Sequence, residues 1–219
     1  MAKLDELLSA TSKSGPANDA GAEKLRAAVF AELDVAPRRS WRGDVMLITG
    51  ICWLAFIAAA AVLFLVGQLS AEHLVSRLVP LSLLAGVVAI CSFTALAPRR
   101  PGQLIVGYLI AAIGLVGLVL LRGEGNPSST PAWVCTVSHM ALGAGPLVLM
   151  LAMLRKSALG AARTALAGLA VGATGAMLGE LSCEQGFAHV AVWHLGAWAG
   201  LAVIAMLVAR RLVPRSFAP

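Results

Sequence analysis

The stretch WVCTVSHMALGAGPLVLMLAML, residues 133–154, contains no Asp, Glu, Lys or Arg. A helix rises about 1.5 Å per residue, so a run of this length can cross a hydrocarbon layer about 30 Å thick. The run lacks the period-two alternation of a membrane β-strand, and a helix satisfies its own backbone groups in lipid. The stretch therefore predicts a transmembrane helix.

Five further apolar runs predict additional membrane spans, at residues 45–67, 76–97, 104–121, 161–179 and 187–209. The chain is 59% hydrophobic and only 13% charged, whereas globular domains carry roughly a quarter charged residues. A soluble fold cannot bury so much apolar surface. We therefore predict an all-α integral membrane protein with a helical segment at 1–43, six transmembrane helices within 44–212, and a short tail at 213–219.

Basic residues mark one side of the predicted membrane domain. Eleven of them lie beside alternate span ends, whereas the opposite ends carry only Arg77 and Arg122. Loops that stay in the cytoplasm carry an excess of Lys and Arg, so both termini are predicted to be cytoplasmic in a bacterial inner membrane. This orientation accounts for the net charge of +6 without direct binding of nucleic acid. The eleven residues are Arg38, Arg39, Arg42, Arg99, Arg100, Arg155, Lys156, Arg163, Arg210, Arg211 and Arg215.

The N-terminal segment shows two amphipathic helical patterns separated by a Ser-, Gly- and Pro-containing link at residues 12–21. Their apolar positions recur at helical spacing and have nothing in the segment large enough to cover them. One interpretation is a pair of interfacial helices on the membrane surface. Within residues 1–34, which contain both patterns, acidic residues outnumber basic ones by six to four, and this favours a protein partner over anionic lipid. The predicted partner-binding residues are Leu4, Leu7, Leu8, Leu25, Val29, Phe30 and Leu33.

Chemistry-bearing residues gather at the predicted outer ends of the last three spans. Cys135 and His139 are four residues apart and share one face of span four. The turn between spans five and six is predicted to hold Glu180, Cys183 and Glu184, with His189 one turn into span six. His194 lies five residues further on, about 140° away from His189 on a regular helix. We therefore expect the two histidines not to share a binding partner unless the helix is distorted.

Three interpretations of these residues stay open. Cys135, His139, Cys183 and His189 could bind a metal, with zinc or copper as the ions that thiolate and imidazole prefer. Cys135 and Cys183 could instead form a disulfide or a redox switch on an oxidising face of the membrane. The side chains could also be structural only, with no cofactor. Cys52 and Cys91 are interpreted as small buried apolar residues.

Two further features bear on the class of protein. No Asp, Glu, Lys or Arg lies deep within a predicted span, which disfavours a transporter or proton pump. No residue is predicted to be catalytic. Span five carries Gly168, Gly172, Gly175 and Gly179 at GxxxG spacing, a pattern of close helix packing. Span six, with Gly196 and Gly200, is predicted to be its neighbour, and such glycine faces would also permit a homodimer.

The chain resembles the NrsF-like family of bacterial membrane anti-sigma factors. The resemblance rests on the helical N-terminal segment, six spans, the CxxxH pattern of Cys135 and His139, and ELSCEQGFAHVAVWH at residues 180–194. It implies a regulator rather than an enzyme, one that holds an extracytoplasmic-function sigma factor through its N-terminal segment. It also implies release under an oxidative, metal or light-linked signal, and a sensing role for Cys135 and Cys183. The rival hypothesis is a haem- or quinone-binding redox subunit with histidine ligands.

Overall fold

The computed structural model describes residues 23–24, 26–27, 40–98, 102–125, 131–155 and 160–212. Contacts divide the chain into two units, Met1–Ser40 and Trp41–Pro219. In the first unit, the described residues 23–24 and 26–27 are helical and exposed. The predicted partner-binding residues lie outside the described part of the chain, so their role stays a prediction. They are Leu4, Leu7, Leu8, Leu25, Val29, Phe30 and Leu33.

The second unit confirms the predicted fold class, an all-α protein with six helices long and apolar enough to cross a membrane. A short helix, Ala71–Ser76, precedes span two, and span six consists of Phe187–His189, a π-turn at Val190–His194 and Leu195–Leu212. The first five spans are Trp41–Leu65, Leu78–Leu96, Gln103–Leu120, Ala132–Arg155 and Ala161–Ser182.

The spans begin and end within four residues of their predicted positions, and two of the differences place an acidic residue inside a helix. Span one begins at Trp41 and carries Asp44 in its first turn, where a carboxylate is stabilised by the positive end of the helix dipole. Span five continues to Ser182 and its last turn contains Glu180. Glu180 is therefore a residue of the span, and the prediction that it lies in the following turn is wrong.

Span five is the central helix of the membrane unit. In the most apolar 18-residue stretch of span five, 89% of the residues are buried, whereas the corresponding fractions are 17% in span one and 22% in span three. It also has the lowest mean hydropathy, 1.3 against 1.8 to 2.5 for the other five. The two observations have one cause: a helix covered on all sides by neighbouring spans needs small residues that pack and few large ones that face lipid.

Glycines on span five let span six approach its backbone. A Cβ atom at Gly168 would lie 2.7 Å from the Ala202 nitrogen and 2.7 Å from the Leu201 carbonyl oxygen. Gly172 lies against the Trp198 ring, whose Nε1–H donates to the Leu169 carbonyl oxygen at 2.5 Å. Span six is thus the neighbour that the sequence predicted.

The contact residues of span six differ from those expected. A Cβ atom at Gly196 would meet nothing within 4 Å, and at Gly200 it would meet only the Met140 Cε at 3.9 Å. The residues that pack onto span five are Ala202 and Trp198 instead. The span-five glycines at this contact face another span of the same chain, so they are not available to a second copy, and a homodimer stays a prediction.

Two hydrogen bonds fix the end of the bundle where span five begins. The buried Arg163 donates from Nη2 to the Ala97 carbonyl oxygen at 2.7 Å, just after span two. The Tyr108 hydroxyl of span three donates to the Ala162 carbonyl oxygen at 2.8 Å. Spans two and three are therefore held to the first turn of span five.

Replacing Gly168 with Ala should destabilise the membrane unit by about 1–3 kcal/mol, because the added methyl overlaps backbone atoms that cannot move independently. The check is the thermal midpoint of the purified chain in detergent, which should fall. Gly196→Ala is the matched control, since its methyl enters open space. Equal midpoints for the two variants would contradict the close approach of spans five and six.

Candidate functional site

Two cysteines and two histidines from three spans meet at one end of the bundle. Cys135 lies in the first turn of span four, Cys183 directly follows span five, and His189 and His194 lie near the start of span six. Their ligand-capable atoms all lie within 4.8 Å of one another. We refer to these four residues as the Cys–His cluster, and to this end of the bundle as the cluster end.

The π-turn brings His194 into the cluster. The Leu195 amide donates to the Val190 carbonyl oxygen, an i to i−5 hydrogen bond, so each residue of the turn rotates less than in an α-helix. His189 and His194, which diverge on a regular helix, are thereby placed on one side with ring centroids 5.3 Å apart. The helix distortion that was named as the exception is therefore present, and the two rings lie on the same side of span six.

Span four also contacts the π-turn through Thr136. Its hydroxyl donates to the Trp193 carbonyl oxygen at 2.8 Å. π-turns interrupt the regular ladder of helical hydrogen bonds and occur frequently at functional sites. The Thr136 contact therefore supports the local geometry that His194 requires.

His139 lies beside the cluster rather than within it. Its Nδ1–H donates to the Cys135 carbonyl oxygen one turn earlier, and its ring packs on the His194 ring with centroids 4.4 Å apart. Of the four candidate metal ligands predicted from sequence, the structure brings together Cys135, Cys183 and His189. The fourth position of the cluster is occupied by His194.

Two span-five glycines make room for the histidine pair. A Cβ atom at Gly179 would overlap the His139 Nε2 and lie 2.6 Å from the His194 Nδ1. At Gly175 it would lie 2.9 Å from the His139 carbonyl oxygen. The second GxxxG of the sequence thus shapes the site, although its pattern indicated only helix packing.

A buried ion pair lies at the cluster end. Arg122 donates from Nη1 to the Glu180 Oε2 at 2.9 Å, and both side chains are at most 3% exposed. Arg122 also donates from Nε to the Gln185 carbonyl oxygen at 2.9 Å, and Arg77 approaches the same carboxylate at 3.7 Å. These contacts fix the turn that carries Cys183.

The loop after span three packs directly on the same turn. A Cβ atom at Gly125 would overlap the Gly186 nitrogen and lie 2.6 Å from the Glu184 carbonyl oxygen. Sequence analysis missed these contacts. Two features of the sequence could have indicated the ion pair. Arg77 and Arg122 are the two basic residues predicted at this end, and a carboxylate at the edge of a span, such as Glu180, needs a partner.

All four cysteines of the chain are free thiols. Cys52 and Cys91 are buried in the membrane unit away from the cluster, at 1% and 0% exposure, and Cys91 donates to the Gly107 carbonyl oxygen at 3.4 Å. They pack as small interior residues. Cys135 and Cys183 differ because each has a second thiol and imidazole nitrogens within reach.

Removing one partner of the buried ion pair should lower the free energy of unfolding. Arg122→Met leaves Glu180 buried with only a distant Arg77, and a loss of about 3–5 kcal/mol is expected for such an uncompensated charge. The free energy of unfolding in mixed micelles would measure it. Arg122→Met combined with Glu180→Gln should lose less than the sum of the two single changes.

Glu184→Gln is the control for this cycle, because Glu184 is exposed on the same turn and its loss should lie within about 0.5 kcal/mol. Strictly additive effects of the two single changes would show that Arg122 and Glu180 do not stabilise one another.

Carotenogenesis protein CarR of Myxococcus xanthus is 40% identical over 219 residues, which cover 99% of this chain and 97% of that protein. No protein-family model matches the chain, and no solved structure matches it. A relation of this extent includes both the segment before span one and the whole six-span unit.

Proposed function

Since the chain belongs to the NrsF-like family of bacterial membrane anti-sigma factors, which includes CarR, we propose that it sequesters an extracytoplasmic-function sigma factor at the inner membrane. The sigma factor binds residues 1–43 and is released on an oxidative, metal or light-linked signal. The observation that carries this proposal is the end-to-end relation to CarR. It covers both the N-terminal segment and the six-span unit, which supports a regulator that combines the two.

The N-terminal segment supports the binding half of the proposal. Its two apolar stripes recur at helical spacing in the sequence, and isolated helices of this length are marginal in water. An amphipathic helix that lays its apolar face into a groove of a partner resolves this problem. The described helical residues of this segment are exposed, namely Glu23, Lys24, Arg26 and Ala27.

The charge distribution supports the orientation. With both termini in the cytoplasm, the cluster end faces the periplasm, where thiols meet oxidants that the cytoplasm removes. The segment that holds the sigma factor is then on the opposite side of the membrane from the cysteines. The six-span unit has to carry the signal between them.

The position of the two cysteines supports a sensing role. Cys135 belongs to span four and Cys183 to the end of span five, so any chemistry that joins or separates them changes the packing of these two helices. Span five contacts every other span. A change at its end can therefore shift the balance between two arrangements of the bundle, which is the requirement for a ligand- or redox-driven switch.

The rival hypothesis, a haem-binding redox subunit, fits the histidines poorly. Two axial imidazoles must leave space for a porphyrin plane between them. Here the His194 ring packs on His139 at 4.4 Å and on His189 at 5.3 Å between centroids. Each pair is too close for a macrocycle to lie between its members.

The binding half is tested by affinity capture with the full chain in detergent, using lysate of the source bacterium. We expect recovery of a sigma factor, and its loss in Phe30→Asp, because a carboxylate in the apolar stripe prevents docking. Ala27→Asp, which places the same charge on an exposed position of that segment, is the control and should still capture it. Equal capture by both variants, or the absence of any sigma factor, contradicts the proposal.

The sensing half predicts that Cys135→Ser and Cys183→Ser each abolish induction of the target genes by the inducing oxidant or metal. Transcript levels before and after the stimulus are the measurement. Cys91→Ser should induce normally, since Cys91 is buried away from the cluster. Wild-type induction in both cluster variants would remove the cysteines from the mechanism.

A further inference from the structure

We propose that the Cys–His cluster is a zinc site with Cys135, Cys183, His189 and His194 as its four ligands. The inference deepens the proposed function, on which it rests for the sensing role of the two cysteines. It also changes the ligand set that the sequence suggested, because His194 takes the place of His139.

The first argument is the donor set. Two thiols and two imidazoles are a Cys₂His₂ set, the composition of many closed structural zinc sites. With Zn–S near 2.3 Å and Zn–N near 2.0–2.1 Å, tetrahedral donors lie roughly 3.3–3.8 Å apart. The donors here are already within 4.8 Å of one another. Rotation about the side-chain torsions of the cysteines and histidines closes the remaining difference of about 1 Å between these donor separations.

The second argument comes from ring nitrogens that lack a hydrogen-bond partner in the described part of the chain. Within the cluster they are the His189 Nε2 and both nitrogens of His194, all buried. The His139 Nε2 beside the cluster also lacks a partner, but its other ring nitrogen is hydrogen-bonded to the Cys135 carbonyl oxygen. His194 is 0% exposed, and a buried polar group without a partner costs about 1–3 kcal/mol. A metal ion bound by one nitrogen of each ring removes much of that cost and explains why an imidazole is buried here.

The third argument is charge, and it favours a divalent ion over monovalent copper. Zinc displaces one proton from each thiol, so Zn²⁺ and two thiolates give a neutral site. Monovalent copper with the same ligands leaves one negative charge, which is unfavourable beside apolar spans. Arg122, the nearby cation, is already paired with Glu180 at 2.9 Å. A closed set of four nitrogen and sulfur donors is also the arrangement that zinc prefers.

His139 acts as a positioning residue in this site. Its Nδ1–H is fixed by the Cys135 carbonyl oxygen, and its ring packs on His194. It thereby orients the His194 ring by direct packing and the Cys135 backbone by a hydrogen bond. Residues that orient the metal ligands without binding the metal typically change metal affinity by 10–100-fold when they are removed.

The zinc content of the full chain, purified in detergent under reducing conditions and dialysed, is the first measurement. We expect one zinc per chain in wild type and its loss in His194→Gln, which removes one of the four ligands. His139→Gln should keep the stoichiometry with an affinity 10–100-fold lower. Cys91→Ser is the control and should bind as wild type does.

X-ray absorption of the zinc-loaded wild type decides the ligand set without any substitution, so a variant that fails to fold does not affect it. We expect two sulfur and two imidazole ligands. A chain without zinc that also fails to bind added zinc overturns the proposal, as does a site loaded only with copper. Loss of zinc in His139→Gln with retention in His194→Gln overturns the assignment of His194.

The capture assay separates this inference from the proposed function. Wild type that recovers a sigma factor but binds no zinc refutes the zinc site and leaves the anti-sigma proposal intact. Wild type that binds one zinc but recovers no sigma factor refutes the anti-sigma proposal and leaves the site.

Discussion

Close approach to the backbone of span five is the constraint on which the rest of the structure depends. Helices in lipid gain little from hydrophobic burial against one another, so they associate through packing and local polar contacts. Gly168 admits the backbone of span six, Gly172 admits the Trp198 ring, and Gly179 admits the two packed imidazoles. One small-residue face thus sets the position of spans four and six. The convergence of Cys135, Cys183 and the histidines follows from that placement.

Much of this architecture was predictable from the sequence. Six apolar runs of sufficient length specify six helices, because only helices and closed barrels satisfy their backbone groups in lipid and the runs lack the alternation of barrel strands. The convergence of Cys135, Cys183 and His189 was also predictable, since the order of the spans brings the start of span four, the end of span five and the start of span six to one side. These features depend only on run length and direction of the chain.

The features that were missed depend on tertiary contacts. His194 was left out of the predicted ligand set because periodicity assumes a regular helix, and nothing local in the sequence specifies a π-turn. Glu180 was assigned to a loop because a carboxylate at a span end resembles a loop residue until its partner is known. That partner, Arg122, lies 58 residues earlier in the chain. The N-terminal segment, which carries the proposed partner contact, gives no such comparison because the structure describes little of it.

The low hydropathy of span five has a consequence for how the protein is made. Membrane insertion is decided by the hydrophobicity of each segment as it leaves the ribosome, and Gly- and Ala-rich segments are retained weakly. At a mean hydropathy of 1.3, this helix is the one least able to remain in the bilayer alone. Its retention in the bilayer therefore depends most on packing against more hydrophobic neighbours. Because the Cys–His cluster takes residues from spans four, five and six, it cannot assemble before span six is in place.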